Sequence, residues 1–281
     1  MDHPDTSGFD WDDLRIFLAT MRAASLRRAA RELGVSRQTA ARRLAQLEAR
    51  LSLRLFERRA DGLHATAQGA ALLAVAEEAE RAMSAVARAA DALDDTLRGP
   101  LRLTTPAVVA AELLMDDLVA FARRYPEVDL QLSGSVALED LARRRADVAI
   151  RFMPPGQPPG FDLAGRRVGV AFGAVYGEGE SWIGQAALDP ALVAATPFAH
   201  LPVRGSITEG AVLRAACVAG MGLTFLPCFL GPPELRRTDP VPMFDIWVVV
   251  HQDLRRTPRF RVFRDAMVEA LKAKRDRLEG R

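Results

Sequence analysis

The sequence predicts a mixed α/β chain in three parts, and three observations predict it. Two short amphipathic segments meet at Leu33-Gly34-Val35 within SLRRAARELGVSRQTAARR, residues 25–43. An apolar repeat spaced alternately by four and three runs from Leu72 to Leu97. From Leu101 onward, short apolar runs alternate with segments of helical periodicity, the pattern of strands and helices laid into a parallel sheet. With 281 residues and 49% hydrophobic content, the chain has material for more than one core.

The first part opens with Asp10, which caps a helix burying Leu14, Phe17, Leu18 and Met21. Ser25 caps the next helix, whose inner face is Leu26, Ala29, Ala30 and Leu33. Gly34 ends it, because a tight turn there requires the left-handed backbone that glycine adopts freely. Ser36 caps a third helix in which Ala40, Leu44, Leu47 and Leu51 turn inward. Gln38, Thr39, Arg42 and Gln46 lie on the opposite side, with Arg37 in the first turn. Those side chains suit the major groove: arginine donates twice to guanine and glutamine pairs with adenine, each worth about 1–3 kcal/mol of discrimination. Arg28 and Arg43 are expected on phosphates.

Charge supports that reading. From Arg22 to Arg59 eleven arginines stand against Glu32, Glu48 and Glu57, a local +8 in a chain whose net charge is +2. So concentrated a charge is the footprint of a polyanionic partner. Residues 55–58 and 63–66 then read as two short strands joined through Ala60-Asp61-Gly62, where Asp-Gly supplies the turn. Together these elements make a winged helix-turn-helix, with Arg58, Arg59 and His64 bordering the minor groove and the two arginines mostly on phosphates.

Thr66 caps the long helix, which is expected to stop at Gly99-Pro100 after about 45 Å. Its seam is Leu72, Ala76, Ala79, Met83, Val86, Ala90, Leu93 and Leu97. The stripe is narrow and the other faces are charged, so it reads as a contact between two chains. A dimer would set two recognition helices in successive major grooves, on a partly palindromic site.

In the third part, strands are expected at 101–104, 128–132 and 147–151, with helices at 107–125 and 138–145 between them. A second group begins near Arg166: a strand at 168–175, a helix at 208–219, and strands at 223–226 and 246–251. The helix 258–274 returns to the first group.

Several classes are excluded. There is no GxSxG elbow, no HExxH and no phosphate loop ending in Lys-Ser or Lys-Thr, and His3, His64, His200 and His251 lack metal-ligand spacing. No enzyme activity, metal or cofactor is expected. No stretch is apolar enough to span a membrane and MDHPDTSGFD does not read as a signal peptide, so the expected location is cytoplasmic. Cys217 and Cys228 form no CxxC pair and sit in apolar segments, as buried free thiols would.

The segments FDWDDLRIFLATMRAASLRRAARELGVS, RRLAQLEARLSLRLFERR and LHATAQGAALL resemble the LysR-type transcriptional regulators, and LRLTTP, ADVAIRF, AGMGLTFLP and VHQDLRRTP continue the resemblance. It implies a DNA-binding domain at 1–66, a linker and dimerisation helix at 67–98, and an effector-binding domain at 99–281. That last domain would be two-lobed and similar to periplasmic binding proteins, with lobe I at about 99–165 and 252–275 and lobe II at about 166–251. A ligand cleft between lobes would draw on polar groups at strand ends and helix starts: Thr104, Thr105, Ser133, Ser135, Arg151, Ser206, Thr208 and Thr224. A small polar or carboxylate effector would fit such groups. Expected partners are double-stranded DNA, a second copy in a homodimer or homotetramer, the effector and RNA polymerase.

Two departures stand out. The family usually reads Ser-Gln-Pro where this chain has Ser36-Arg37-Gln38, and serine where it has Ala41, so the operator sequence stays open. VYGEGESWIGQ passes from one strand to the next in a few residues where the family carries a further helix, so the second lobe reads as reduced. The alternative is therefore a DNA-binding repressor or architectural protein that works without a ligand.

Overall fold

The computed structural model describes residues 10–59, 62–93, 96–134, 146–160, 163–184 and 190–281. Contacts divide the chain between Ala87 and Arg88 into two compact units.

The first unit holds α1 (Trp11–Ala23), α2 (Leu26–Glu32), α3 (Arg37–Leu51), β1 (Phe56–Arg59), β2 (Gly62–Ala65) and most of α4 (Ala67–Ala92). The caps expected at Asp10, Ser25 and Ser36 form: Asp10 accepts from Asp12 N, Ser25 from Arg28 N and Ser36 from Thr39 N. Gly34 takes φ +68°, so the α2–α3 turn closes tightly. Phe17, Leu18, Ala30, Ala40, Leu44, Leu47 and Leu55 make the core, with the Phe56 ring 5.7 Å from that of Phe17. Thr66 hydroxyl donates to the Arg54 carbonyl and accepts from Gly69 N, which ties the start of α4 to the start of β1. Gly69 is required there, since a Cβ would stand 2.3 Å from the Leu55 carbonyl oxygen.

The long helix departs from expectation in two ways. It ends at Ala92, about 39 Å from its start. Leu97 lies beyond it, and Gly99-Pro100 open a strand instead of stopping a helix. Pairing explains this: Gly99 N donates to the Glu127 carbonyl, and a strand tolerates proline at its beginning. The seam is also divided. Leu72, Ala76 and Ala79 pack into the head's own core, while Met83, Val86 and Leu93 stay exposed.

The second unit is built on a six-stranded sheet. Its strands are β3 (Gly99–Thr105), β4 (Val128–Gly134), β5 (Val148–Met153), β6 (Leu163–Tyr176), β9 (Thr224–Pro227) and β10 (Val241–His251). The order is β4-β3-β5-β10-β6-β9. The expected parallel arrangement holds for β4, β3 and β5, whereas β10 runs antiparallel to β5 and β6, and β9 antiparallel to β6. β6 and β10 are long and pair with each other from Val241–Gly173 to His251–Leu163. A small parallel pair, β7 (Trp182–Ile183) with β8 (Val203–Arg204), completes the strands.

The helix after β3, α5, comprises Ala107–Val109, a π-turn at Ala110–Leu114 and Met115–Arg124. After it come α6 (Pro190–Ala194), α7 (Gly210–Val218), α8 (Pro258–Ala273) and α9 (Arg275–Glu279). Helix α8 returns to the first strands as expected: Phe260, Phe263, Met267 and Leu271 meet Leu101, Leu103, Ile150 and Val248 in one core. Phe263 sets its edge on Phe121 of α5, with ring centroids 4.8 Å apart. The expected helix at 138–145 lies outside the described residues. The connection from β6 to β7 is five residues long, Gly177 to Ser181, and no helix intervenes.

Candidate nucleic-acid interface and ligand cleft

Helix α3 presents the face that its sequence promised. Ala40, Leu44 and Leu47 are buried, and Arg37, Gln38, Arg42 and Gln46 are exposed, with Thr39 half-buried beside its cap Ser36. Thr39 and Ser36 hydroxyls lie 2.9 Å apart, so Thr39 shares its polar group with the cap. Arg37, Arg42 and Arg58 form no ion pair among the described residues. Arg28 sits exposed in the first turn of α2. A groove of about 610 Å³ runs between α2, α3 and the wing and brings Ser25, Arg27, Arg37, Arg58 and Arg59 to one surface.

Arg43 and Arg59, both expected on phosphates, are each paired with an acid in the structure. Arg43 Nη1 donates to Asp10 at 2.7 Å and to Asp13 at 3.2 Å. Those carboxylates, Asp10 first, hold its guanidinium above the ordinary arginine pKa. Asp10 is itself held below the ordinary carboxylate value by the Asp12 N–H and then by Arg43. Asp13 is buried and also accepts from Arg50 at 2.8 Å, so this cluster locks α1 against α3. Arg59 Nε donates to Glu57 at 2.9 Å, because residues two apart on a strand share a face. His64, half-buried, stands directly opposite Glu57 in the wing register.

Sequence reasoning missed two positioning residues and one cation. Glu48 Oε1 accepts from Leu55 N at 2.7 Å and Phe56 N at 3.2 Å, which holds the wing to the recognition helix. Arg22 grips Glu80 with two bonds, 2.9 and 2.6 Å, and fixes α4 on α1. Arg27 lines the groove. Glu48 was legible only as an acid in a basic stretch, and nothing local marks its reach of seven residues to Leu55.

In the second unit the eight cleft candidates separate. Thr104 and Arg151 are joined: Arg151 Nη1 donates to the Thr104 carbonyl at 2.9 Å and Nη2 to its hydroxyl at 3.2 Å, and both residues are buried. Thr105 and Thr224 are fully buried with hydroxyls that find no hydrogen-bond partner among the described residues. Ser133 is exposed, its hydroxyl 3.5 Å from the Leu103 carbonyl. Ser206 and Thr208 are exposed and precede α7, which starts at Gly210 after Glu209 without a side-chain cap. The expected helix start at Thr208 is thus two residues early. Ser135 lies outside the described residues. Cys217 and Cys228 are buried free thiols.

Residues 11–70 match the profile described as bacterial regulatory helix-turn-helix protein, lysR family, and residues 94–204 that of the LysR substrate binding domain. The chain is similar to the Mau operon transcriptional activator of Paracoccus denitrificans, 38% identical over 57% of this chain and 55% of that one. It is also similar to the AhcY transcriptional activator HvrB of Rhodobacter capsulatus, 35% identical over 50% of this chain and 47% of that one. The matched part therefore spans about half the length of these relatives. Among solved structures, the full-length Vibrio cholerae virulence activator AphB superposes with a TM-score of 0.57 at 18% identity, covering 93% of this chain and 99% of that one. The fold, head and sheet module alike, is that of full-length regulators of this type.

Proposed function

Because this chain belongs to the lysR family of bacterial helix-turn-helix regulators, we propose that it is a sequence-specific DNA-binding transcription regulator, acting as a dimer or tetramer in the cytoplasm, and not an enzyme. The observation that carries the reading is the outer face of α3, where Arg37, Gln38, Arg42 and Gln46 are exposed opposite a buried apolar stripe. These residues, with Thr39, take the bases, and Arg28 and Arg58 take phosphates. Arg43 and Arg59 act first by fixing α3 and the wing, and His64 flanks the wing. The exposed Met83 and Val86 on α4, and Leu93 just past its end, support pairing with a second copy through the later half of the seam.

The effector reading rests on Thr105 and Thr224. A buried hydroxyl without a partner costs about 1–3 kcal/mol, which a polar ligand would recover. The five-residue passage from β6 to β7 favours a second reading, a ligand-independent repressor or architectural protein with a reduced second lobe. One experiment separates these. The purified chain is titrated onto DNA from upstream of its own gene at several salt concentrations, then challenged with small carboxylates and aromatic metabolites. Specific binding shifted by one compound supports the ligand-gated regulator, and specific binding that no compound shifts supports the second reading. Equal affinity for that DNA and for random DNA removes the proposal.

A further inference from the structure

The described residues enclose a separate cavity of about 470 Å³ where α7, the segment 227–236 and the C-terminal residues come together. Three of its arginines are anchored by backbone carbonyls instead of carboxylates. Arg214 Nε donates to the Leu230 carbonyl at 2.9 Å, Arg236 Nη1 to that of Gly280 at 2.7 Å, and Arg277 Nη2 to that of Phe229 at 3.4 Å. None of the three forms an ion pair among the described residues. Elsewhere in this unit arginines such as Arg88, Arg167 and Arg237 pair with acids. A guanidinium has five N–H donors, so each anchored arginine keeps most of its donors for something else.

The rest of the wall fits the same role. Arg281 adds a fourth guanidinium, already paired with Glu279, and against Glu112 and Glu234 the other three arginines leave the lining side chains one positive charge in excess. Tyr176 and Cys228 line the inner wall, hydrogen-bonded to each other, and burial pushes both groups above their ordinary pKa, so neither adds negative charge near neutral pH. The segment carrying Arg236 is held by close packing, since a Cβ on Gly231 would stand 2.2 Å from the Tyr176 ring. Pre-ordered guanidinium groups are the side chains that hold planar or tetrahedral oxyanions through paired bonds, and the cavity falls within the ordinary size of small-molecule sites.

We propose that this cavity binds a compact dianion, of the phosphate or short dicarboxylate class, at a site that shares no residue with the strand-end cleft. The test is calorimetric titration of the full chain with inorganic phosphate and, separately, with succinate, at ionic strength held constant with sodium chloride. Saturable binding of either is expected, and which one binds identifies the anionic group. The double substitution Arg214→Gln/Arg277→Gln should weaken that binding by about tenfold or more, while Lys272→Gln, an exposed cation of α8 outside both sites, leaves it unchanged. Should the double variant lose its native circular dichroism, Arg277→Gln alone carries the test, because its side chain is exposed. Only heats of dilution with both anions, or equal affinity in the arginine variants, overturns the proposal.

Discussion

The exposed arginines on the outer face of the head and the arginines set into the sheet are handled in opposite ways. In the head, caps and small apolar side chains settle the backbone, and Arg37, Arg42 and Arg58 remain in solvent without acidic partners among the described residues. In the module, Arg151 is only 2% exposed and spends two nitrogens on Thr104, and Arg167 closes on Asp245. A recognition surface is what local folding rules leave over. An interior guanidinium must instead be satisfied by groups far away in sequence, because burying it alone is prohibitive.

The comparison breaks first if the two regions are not separate folding units. Phe17 in the head and Phe263 in the module are both fully buried, and replacing either by alanine should cost about 3–5 kcal/mol. Scanning calorimetry should show Phe17→Ala lowering one transition and Phe263→Ala lowering the other. A single transition shifted alike by both substitutions would mean that the division at Ala87 does not govern stability.

Arg42 tests whether a leftover arginine reads bases. Arg42→Ala should weaken binding to the native operator by about 1–3 kcal/mol and weaken binding to random DNA much less. Fluorescence anisotropy on both duplexes at one salt concentration measures the difference. Equal losses would return Arg42 to the phosphate backbone and leave Arg37, Gln38 and Gln46 as the readers.

The same contrast explains what could be read from the sequence. The head was legible nearly residue by residue, because Ser25, Gly34, Ser36 and Thr66 act within three or four residues of themselves. The strands β3, β4 and β5 were legible as apolar runs. What escaped was set at long range. Residues 168–175 and 246–251 look like ordinary short strands, and only their mutual pairing extends them to Leu163–Tyr176 and Val241–His251. Thr104 and Arg151, 47 residues apart, give no local sign of the hydrogen bonds that the parallel register of β3 and β5 allows between them. The α4 seam was read correctly as apolar, but its first half was already claimed by Phe17, Leu18 and their neighbours.

Within the head, Arg58 and Arg43 sharpen the comparison at smaller scale. Among the described residues Arg58 has no ion pair and Arg43 has two close ones, so their charges should not count equally toward DNA. Arg58→Ala should make the slope of log affinity against log salt shallower by about one unit. Arg43→Ala should change the slope by less and lower the thermal midpoint of the head more, since it strips Asp13 of one of its two cations. Equal slope changes would show that the Asp10–Asp13 cluster releases Arg43 to phosphate.

The smallest expected effect concerns Asp245 and acid. Its carboxylate accepts from Arg167 Nη2 at 2.6 Å and from Gly156 N at 3.0 Å, pinning the PPGQPPG loop to β10. Arg167 first, and the Gly156 N–H with it, hold the carboxyl below the ordinary value of 3.8. A carboxyl whose native pKa is depressed stabilises the fold above its unfolded value, and that contribution is lost as pH falls through the native one. The sensitive window therefore opens below pH 3.8. Asp245→Asn keeps the shape and removes the charge, so the midpoint gap between wild type and variant should be full at about pH 6 and shrink toward about pH 3. Asp10 in the head is depressed for a similar reason but lies exposed, where solvent screens its partners, so Asp10→Asn should show a smaller gap over the same window. A gap at Asp245 that stays constant with pH would mean that shape, and not charge, holds the loop, and the module would then owe less to long-range ion pairing than its arginines suggest.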